Sequence, residues 1–526
     1  MSLLSVPQRG MRLFLYTALL LFGAVLQAKD KRPNIIFLLS DDQAVRTMGC
    51  YGAPGVQTPN LDRLGAEGMI FDCHYDTTAI CMASRANVMT GMFEYKTGCN
   101  FEHGTMAEVH WKRSYPVLLR KAGYRTAFAG KFGFEVSKKP GSKGKRLPEE
   151  DFDRWGGGPG QTSFKTAQNA SMKAYAKKWP HATLSYGAFS QDFIAEMAKE
   201  DAPFCLSISF KAPHRPVQPD PKFDHIYAGK KFRKPANYGR EHGGHFSKQS
   251  TMGRQYERFS GWNYDKDYDG VMAKYHQQIY AIDVAVGMVR DALNKHGVAD
   301  NTVIIYTSDN GFLCGSHGYG SKVLPYEEAS RVPLLMFDPR HNNSGKRLRC
   351  ASLTGNVDFA PTMLDFAGIK TPGYTQGRSF KSICETGAEP SNWPNEAYYR
   401  YWMHMAHHDN PGHVGIRTKE WKLIYFYGAD YQGMNQTPPA WELYNMKKDP
   451  HETRNLYDDP GHTDTVSGLK VRLALLRKRV GDNGLDFPAT EKVVQEFWDY
   501  DDEDRKQAQK ISHDFLARRL ESLKNP

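Results

Sequence analysis

Four short apolar segments, each followed by polar or charged residues, constrain the fold of this chain most strongly. The segments are continuous and do not alternate with polar residues, which indicates parallel strands that are covered on both faces of a sheet. They span residues 34–39, 126–129, 204–210 and 302–307, and they lead into Ser40-Asp41-Asp42, Gly130-Lys131, Lys211-Ala212-Pro213-His214 and Ser308-Asp309-Asn310-Gly311.

A helix is predicted directly before the fourth segment. Apolar residues recur there at helical spacing, and Gly297 stands just past the last of them. A helix that leads into a strand and then into an acidic turn is typical of a doubly wound α/β sheet, in which ligands bind at the carboxyl ends of the strands. We therefore expect all four strands to bring an ionisable residue to one edge. The periodic residues are Ile279, Ile282, Val286, Val289 and Leu293.

The length of 526 residues favours two domains. Residues 29–391 are predicted to form a large α/β domain, with a mixed, mostly parallel sheet sandwiched by helices. Within it, residues 137–268 are rich in Lys, Arg, Gly, Pro and aromatic residues, and we interpret them as insertions around the site. Residues 392–526 are predicted to form a smaller α+β domain, because runs such as 421–426 suggest antiparallel strands.

The first 28 residues are predicted to be a secretory signal peptide. Arg9 and Arg12 precede an apolar run over residues 13–26, which ends at Gln27-Ala28. The run is short for a membrane span, although a membrane-anchoring helix is the alternative. We expect a secreted or periplasmic protein with no stable membrane insertion after cleavage. Export would permit disulfides among the eight cysteines, but their spacing dictates no pairing.

A formal net charge of +11 favours an anionic partner. Nucleic acid, acidic lipid and sulfated or carboxylated glycan would all fit this charge. The sequence contains no basic helix with heptads, no zinc-finger spacing and no RNA-binding aromatic signature, which disfavours nucleic acid.

Two pairs of adjacent residues with side-chain oxygen atoms predict a metal site. Asp41 and Asp42 are adjacent carboxylates, and Asp309-Asn310 adds a third carboxylate and an amide oxygen after another strand. An all-oxygen set suits Ca²⁺ or Mg²⁺. Taken singly, Asp42 could cap a helix and residues 309–311 could form a turn. At strand ends of one sheet, the two pairs together favour a metal.

The segment from Cys81 to Gly91 contains a candidate nucleophile. A cysteine that opens a helix has its thiolate stabilised by the helix dipole, and Arg85 follows one turn later. This reasoning alone leaves an activated thiol and a buried structural cysteine equally open.

The segment resembles the sulfatase signature, Cys-x-Pro/Ala-Ser-Arg followed by Leu/Met-Thr-Gly, whose cysteine is oxidised to Cα-formylglycine. Further blocks resemble this family over nearly the whole mature chain. On these motifs the chain is identified as a member of the formylglycine-dependent type I sulfatases, which implies an alkaline-phosphatase-like fold. The similar blocks are residues 32–42, 123–131, 212–214, 308–311, 322–333 and 441–450.

The resemblance implies a mechanism that uses one Ca²⁺ and a residue made from Cys81 by a formylglycine-generating enzyme. The aldehyde hydrates to a geminal diol bound to the metal, one hydroxyl attacks sulfur, and the other then expels sulfate. Asp41, Asp42, Asp309 and Asn310 complete the metal site.

The resemblance also implies roles for the cationic residues. Arg85 stabilises the diol, while Lys131, His214 and Lys322 bind the sulfate oxygens, and His214 or Lys322 protonates the leaving oxygen. From position alone, His103, downstream of the signature helix, and Arg215, beside His214, are further candidates for substrate contacts.

The chain departs from the family pattern after Lys131. Many relatives have a histidine two positions later, where this chain has Gly133. We expect His317 to be a candidate for the missing hydrogen bond to the diol, with a structural loop histidine as the alternative.

These inferences predict a sulfatase that acts on a sulfated polysaccharide or oligosaccharide, since the insertions are basic and aromatic and the chain is exported. One alternative is a phosphonate or phosphodiester hydrolase on the same fold. The other is a secreted protein that binds sulfated glycan without turnover.

Overall fold

The computed structural model describes residues 32–511, apart from residues 139–145, 247–249, 252, 342, 483, 505 and 509. The predicted signal peptide over residues 1–28 lies outside the described residues.

The described strands alternate with helices through most of the chain. In chain order the strands are β1 (Asn34–Ser40), β2 (Met69–Phe71), β3 (His74–Tyr75), β4 (Met106–Ala107), β5 (Arg125–Lys131), β6 (Val136–Ser137), β7 (Arg154–Gly158), β8 (Phe204–Ser209), β9 (Thr302–Ser308), β10 (Leu334–Phe337), β11 (Leu348–Cys350), β12 (Thr354–Gly355), β13 (Ala397–Tyr401), β14 (His413–Arg417), β15 (Trp421–Phe426) and β16 (Ala440–Asn445). The α-helices are α1 (Pro59–Glu67), α2 (Cys81–Thr90), α3 (Glu94–Thr97), α4 (Glu108–Trp111), α5 (Tyr115–Lys121), α6 (Ala182–Met197), α7 (Arg254–Gly261), α8 (Tyr268–Lys295), α9 (Glu327–Ser330), α10 (Phe359–Phe366), α11 (Lys381–Thr386), α12 (Thr463–Val480) and α13 (Pro488–Glu496).

The large sheet has the strand order β11-β2-β10-β9-β1-β8-β5-β7. Strands β9, β1, β8, β5 and β7 run parallel to one another, whereas β10 is antiparallel to both β9 and β2. The prediction of a mixed, mostly parallel sheet is therefore confirmed. The four predicted strands correspond to β1, β5, β8 and β9, which are consecutive neighbours in the sheet.

Both faces of the central strand β1 are buried, as its continuous apolar sequence predicts. Ile35, Phe37 and Leu39 pack into a core with side chains from α2, α5 and α10. Ile36 and Leu38 point the other way, into a core with side chains from α1, α6 and α8. Because successive side chains of a strand alternate between faces, an apolar run requires helices on both sides of the sheet.

A second, four-stranded antiparallel sheet has the order β13-β14-β15-β16. One face packs against α12 and α13 in an apolar cluster. The other face contributes Tyr399, Ile424 and Tyr444 to a cluster shared with Ile80 and Tyr326 of the large domain. This antiparallel sheet with two helices matches the predicted fold class of the smaller C-terminal domain.

All eight cysteines are free thiols in this structure. Within the described ranges, the helices are either too short or too polar to cross a bilayer.

Candidate active site

The carboxyl ends of the parallel strands bring the predicted site residues together. Strand register pairs Ser40 of β1 with Ser308 of β9, and it pairs Gly130 of β5 with Ser209 of β8. Asp41 and Asp309 therefore leave the sheet side by side, and Lys131 leaves it two strands away on the same edge. Asp42 turns the chain there with a φ of 68°, in the left-handed region.

Three buried carboxylates form the centre of the site. One oxygen each from Asp41, Asp42 and Asp309 lie within 4.8 Å of one another. Asn310 donates from Nδ2 to Asp42 Oδ1 at 2.7 Å. Asp41 Oδ1 and Asn310 Oδ1 are buried without a hydrogen-bond partner among the described residues. Since a buried oxygen acceptor is normally satisfied, these two oxygens indicate a place for a cation.

Cys81 opens helix α2 beside these carboxylates. Its Sγ lies within 4.8 Å of ligand atoms of Asp41 and His214, and the three residues form a second group with metal-ligating atoms. Lys322 Nζ is 3.5 Å from Cys81 Sγ. The first residue of helix α2 therefore places its side chain next to Asp41 of the carboxylate cluster.

Three cationic side chains contact the carboxylates directly. Lys131 Nζ donates to Asp41 Oδ2 at 2.5 Å, and Lys322 Nζ donates to Asp42 Oδ1. Arg85 Nε donates to Asp309 Oδ2 at 2.8 Å. Each of the three cations is at most 2% exposed, so burial and pairing fix the charges in place.

Arg85 is also held by the strand ends. Its Nη1 donates to the carbonyl oxygen of Lys131 at 2.8 Å and to Ser209 Oγ. Gly133, with a φ of 90°, packs against it so closely that a Cβ there would lie 2.4 Å from Arg85 Cδ. The glycine that replaces the family histidine therefore makes room for the arginine.

Lys322 lies on a strained segment of backbone. Its neighbours Ser321 and Val323 have φ values of 72° and 88°, which are costly for residues with a Cβ. The carbonyl of Ser321 accepts from the backbone N–H of Leu313, and its Oγ accepts from Arg258 Nη1 at 2.9 Å. These contacts hold the strained segment so that the lysine reaches Asp42.

The electrostatic environment shifts the pKa values of Asp41 and Asp309 in opposite directions. Burial raises the pKa of Asp309 to about 6, and the neighbouring charge of Asp41 adds to that rise. Burial also opposes ionisation of Asp41, but Lys131, His214, Arg85 and Lys322 hold its pKa well below the usual range. The cations thus concentrate negative charge on Asp41.

The histidine and lysine predicted to bind sulfate differ in charge. Burial lowers the pKa of His214 to about 4 and outweighs the pull of Asp42 and Asp41, so its ring is neutral at pH 7. His214 Nδ1 contacts the carbonyl oxygen of Arg215, which can only accept, so the proton of the neutral ring is on Nδ1. Burial disfavours charge on Lys322, but Asp42 and Cys81 raise its pKa above the usual value.

The remaining predicted residues lie in different surroundings. Arg215 stacks on Trp262, with its Cζ 4.2 Å from the ring centroid. His103 bonds through Nδ1 to Asn100 Nδ2 at 2.9 Å and stacks on Phe487.

His317 belongs to another cluster of buried groups. Its Nε2 contacts Asn237 Nδ2 at 2.8 Å and lies 3.6 Å from Glu328, with Glu452 close by. Both ring nitrogens have partners in that cluster, since Nδ1 contacts the carbonyl of His242. This geometry favours the alternative of a structural loop histidine over a replacement for the family histidine at Gly133.

Sequence reasoning missed Arg258 and Trp262. Arg258 lies on helix α7, and Trp262 follows the end of that helix. The only sequence feature that could have indicated them is the aromatic and basic composition of the 137–268 insertion. That insertion has no periodicity that would single out either residue. The structure places both next to predicted site residues, Arg258 by its bond to Ser321 and Trp262 under Arg215.

Comparison with known proteins supports the same chemistry. The profile of the family described as Sulfatase matches residues 33–369. The chain belongs to the sulfatase family. A second profile, for the C-terminal part of N-sulphoglucosamine sulphohydrolase, matches residues 315–479 of this sulfatase. The family assignment and the sulfuric ester hydrolase activity expected from the sequence are confirmed.

Individual relatives cover most of the sulfatase chain. An N-acetylglucosamine-6-O-sulfatase from Bacteroides thetaiotaomicron is 31% identical, with 87% of this chain and 88% of the relative aligned. A solved structure of the protein BT4656 with its substrate D-glucosamine-2-N,6-O-disulfate has a TM-score of 0.68 at 28% identity, covering 86% of this chain and 99% of that one.

The fold is shared more widely than the sulfatases. The structure of a phosphonate monoester hydrolase from Agrobacterium radiobacter has a TM-score of 0.70 at 20% identity, covering 85% of this chain and 96% of that one. At this identity the likeness concerns the fold alone.

Proposed function

We propose that this sulfatase removes the 6-O-sulfate of a glucosamine unit in a sulfated glycan, with formylglycine at position 81 and one Ca²⁺. The relative named as an N-acetylglucosamine-6-O-sulfatase and the structure with a 6-O-sulfated glucosamine support the sugar. The main observation that supports the reaction is that residue 81 lies in one cluster with three buried carboxylates and three cations.

The carboxylate cluster fits a calcium ion. Asp41, Asp42, Asp309 and Asn310 would hold it, and their donor atoms are all oxygen, as a hard cation prefers. The unpartnered oxygens of Asp41 and Asn310 are two such donors. A bound Ca²⁺ would supply positive charge opposite the oxygens of the sulfate group.

Position 81 fits a built-in nucleophile. It lies at the start of a helix and next to the metal-ligating carboxylates. Formylglycine, made there by a formylglycine-generating enzyme, would supply a hydrated aldehyde as nucleophile. Arg85 reaches this region through Asp41 and Asp309 and keeps both carboxylates in place.

The lysines would bind and neutralise the sulfate. Lys131 and Lys322 carry buried ammonium groups that contact Asp41 and Asp42, where they would oppose charge that develops on the sulfate oxygens. Lys322 Nζ is also near the reacting position and carries a proton that it could deliver to the leaving oxygen. His214 Nε2 lies 3.7 Å from Asp42 Oδ2, but the neutral ring carries its proton on Nδ1, so Lys322 is the better placed of the two predicted proton donors.

Export of the sulfatase is also part of the proposal. The basic start, the apolar run and the small residue at position 28 support a cleaved signal peptide. Amino-terminal sequencing of the exported protein would then begin at Lys29, and a mature protein that begins at Met1 would contradict it.

Matched sulfate and phosphate esters test the proposed reaction. The protein is produced together with a formylglycine-generating enzyme, and sulfate release from glucosamine 6-sulfate is compared with phosphate release from glucosamine 6-phosphate. We expect a higher kcat/KM for the sulfate ester and no turnover by a Cys81→Ala variant. A higher kcat/KM for phosphate or phosphonate esters would favour the alternative hydrolase, and binding without turnover would favour a glycan-binding protein.

A further inference from the structure

Two arginine guanidinium groups lie over one tryptophan ring beside the active site. The Cζ atoms of Arg215 and Arg258 lie 4.2 Å and 4.7 Å from the ring centroid of Trp262. Arg215 directly follows His214, and Arg258 Nη1 donates to Ser321 Oγ, on the residue before Lys322. Each guanidinium is therefore one residue removed from a side chain predicted to bind the scissile sulfate.

Neither guanidinium has a carboxylate partner among the residues that the structure describes. Arg254, one turn earlier on α7, provides the contrast, because its Nε donates to Asp409 Oδ2 at 2.7 Å. Burial lowers the pKa of both Arg215 and Arg258, so their charged forms lose hydration without an ion pair in return. Partly buried charges are normally paired, which indicates that an anion belongs between these arginines and the solvent.

Trp262 holds the two guanidinium groups next to the segment that contains Asp309 and Asn310, which are predicted metal ligands. Its ring stacks on Phe312 with centroids 6.0 Å apart and planes 11° apart, and Phe312 is two residues after Asn310. A guanidinium stacked on an aromatic ring keeps its N–H donors at the edge of its plane, where they can bind a carboxylate or a sulfate through two parallel bonds. The arrangement of Trp262, Arg215 and Arg258 therefore suits the binding of an oxyanion.

We propose that Arg215 and Arg258 form a second anion subsite, which selects sugars that carry another sulfate or carboxylate besides the scissile sulfate. The second group lies on the same sugar or on its neighbour in the glycan. This inference rests on the proposed sulfatase reaction and adds a specificity for multiply charged substrates. Lys131 and Lys322 are proposed to bind the scissile sulfate. Arg215 and Arg258 are therefore available for the second anionic group.

Substrates with and without a second anionic group test the subsite. We would measure kcat/KM of the metal-loaded enzyme for glucosamine 6-sulfate, for D-glucosamine-2-N,6-O-disulfate, and for a disaccharide of uronate and glucosamine 6-sulfate. Arg215→Gln and Arg258→Gln should each lower kcat/KM for a doubly charged substrate about tenfold more than for glucosamine 6-sulfate. The affected substrate shows whether the group is the N-sulfate or the carboxylate.

A matched variant controls for the loss of positive charge. Arg254→Gln removes the same charge from the same helix, but its guanidinium is paired with Asp409, so the ratio between substrates should stay at the wild-type value. Equal losses on singly and doubly charged substrates in Arg215→Gln and Arg258→Gln would overturn the proposal. So would unchanged ratios in both variants.

A binding measurement separates this inference from the proposed reaction. Calorimetry compares the Kd of the disulfate with that of glucosamine 6-sulfate. The measurement is made on the Cys81→Ala variant and on the double variant Cys81→Ala with Arg258→Gln. We expect the disulfate to bind more tightly, and Arg258→Gln to remove most of that preference. If the wild type releases no sulfate, the reaction is wrong, but a preference lost in Arg258→Gln still supports the subsite. Equal affinities for the two sugars would refute it.

Discussion

Replacement of Gly133 by alanine should displace Arg85 and impair both stability and turnover. The Cβ of alanine would lie 2.4 Å from Arg85 Cδ and 3.2 Å from Nε. Ordinary contact begins at 3.4 Å, so the arginine must retreat by about 1 Å, the amount by which the carbon contact is too short. Such a shift would carry Nε, now 2.8 Å from Asp309 Oδ2, beyond hydrogen-bond distance.

Two costs follow from this geometry. A residue with a Cβ costs about 1–2 kcal/mol in the left-handed region that Gly133 occupies, and loss of a hydrogen bond between charged groups costs about 1.5–3 kcal/mol. Together they predict a loss of about 2.5–5 kcal/mol in the free energy of unfolding. Because a displacement of about 1 Å at catalytic groups can cost roughly 100-fold in rate, we expect kcat to fall by about that factor.

Thermal unfolding and sulfate release measure the two effects. Gly297→Ala is the matched control, because Gly297 has a φ of 67° and a Cβ at this position would have no neighbouring atom within 4 Å. That variant should show the backbone cost alone and retain wild-type kcat. Gly133→His, which restores the histidine of many relatives, should be no more active than Gly133→Ala. The reasoning is refuted if Gly133→Ala melts like Gly297→Ala with normal kcat, or if Gly133→His exceeds the wild type.

Three further predictions concern the metal, a sulfate-binding cation and a buried ion pair. Chelation should abolish sulfate release and lower the Tm, and added Ca²⁺ should restore both; an unchanged rate in excess chelator would count against the metal. Lys322→Met should lower kcat about 10²–10³-fold by loss of a preformed positive charge, and a loss below tenfold in sulfate release would contradict its role. Asp482→Asn leaves the buried Arg400 without its ion-pair partner, which should cost about 3–5 kcal/mol and lower the Tm by about 3–5 °C; a calorimetric scan with an unchanged Tm would disprove this.

The sheet and its functional edge could be predicted because the signals are local. Continuous apolar runs require helices on both faces, and parallel strands place the residues that follow them at one edge. Asp41 and Asp309 meet for this reason, since Ser40 and Ser308 are register partners. The roles of Lys131 and His214 came only from resemblance, because composition does not say which strand-end residues bind sulfate.

The parts that escaped prediction depend on contacts between distant segments. Arg258 Nη1 contacts His408 Nδ1 at 2.6 Å across 150 residues of sequence. No periodicity within the 137–268 insertion indicates that contact. Arg215 was named because it adjoins His214, whereas no sequence signal named its ring partner Trp262. His317 was named as a candidate for the hydrogen bond that Gly133 cannot make, with a structural loop histidine as the alternative, and its partners, Asn237 and Glu328, favour that alternative.

A crystal structure of the formylglycine-containing enzyme with Ca²⁺ and sulfate tests the central claim most directly. We predict one calcium ion held by Asp41, Asp42, Asp309 and Asn310, with residue 81 at the ion and the sulfate against Lys131 and Lys322. A calcium ion bound elsewhere, or a sulfate remote from residue 81, would contradict the account.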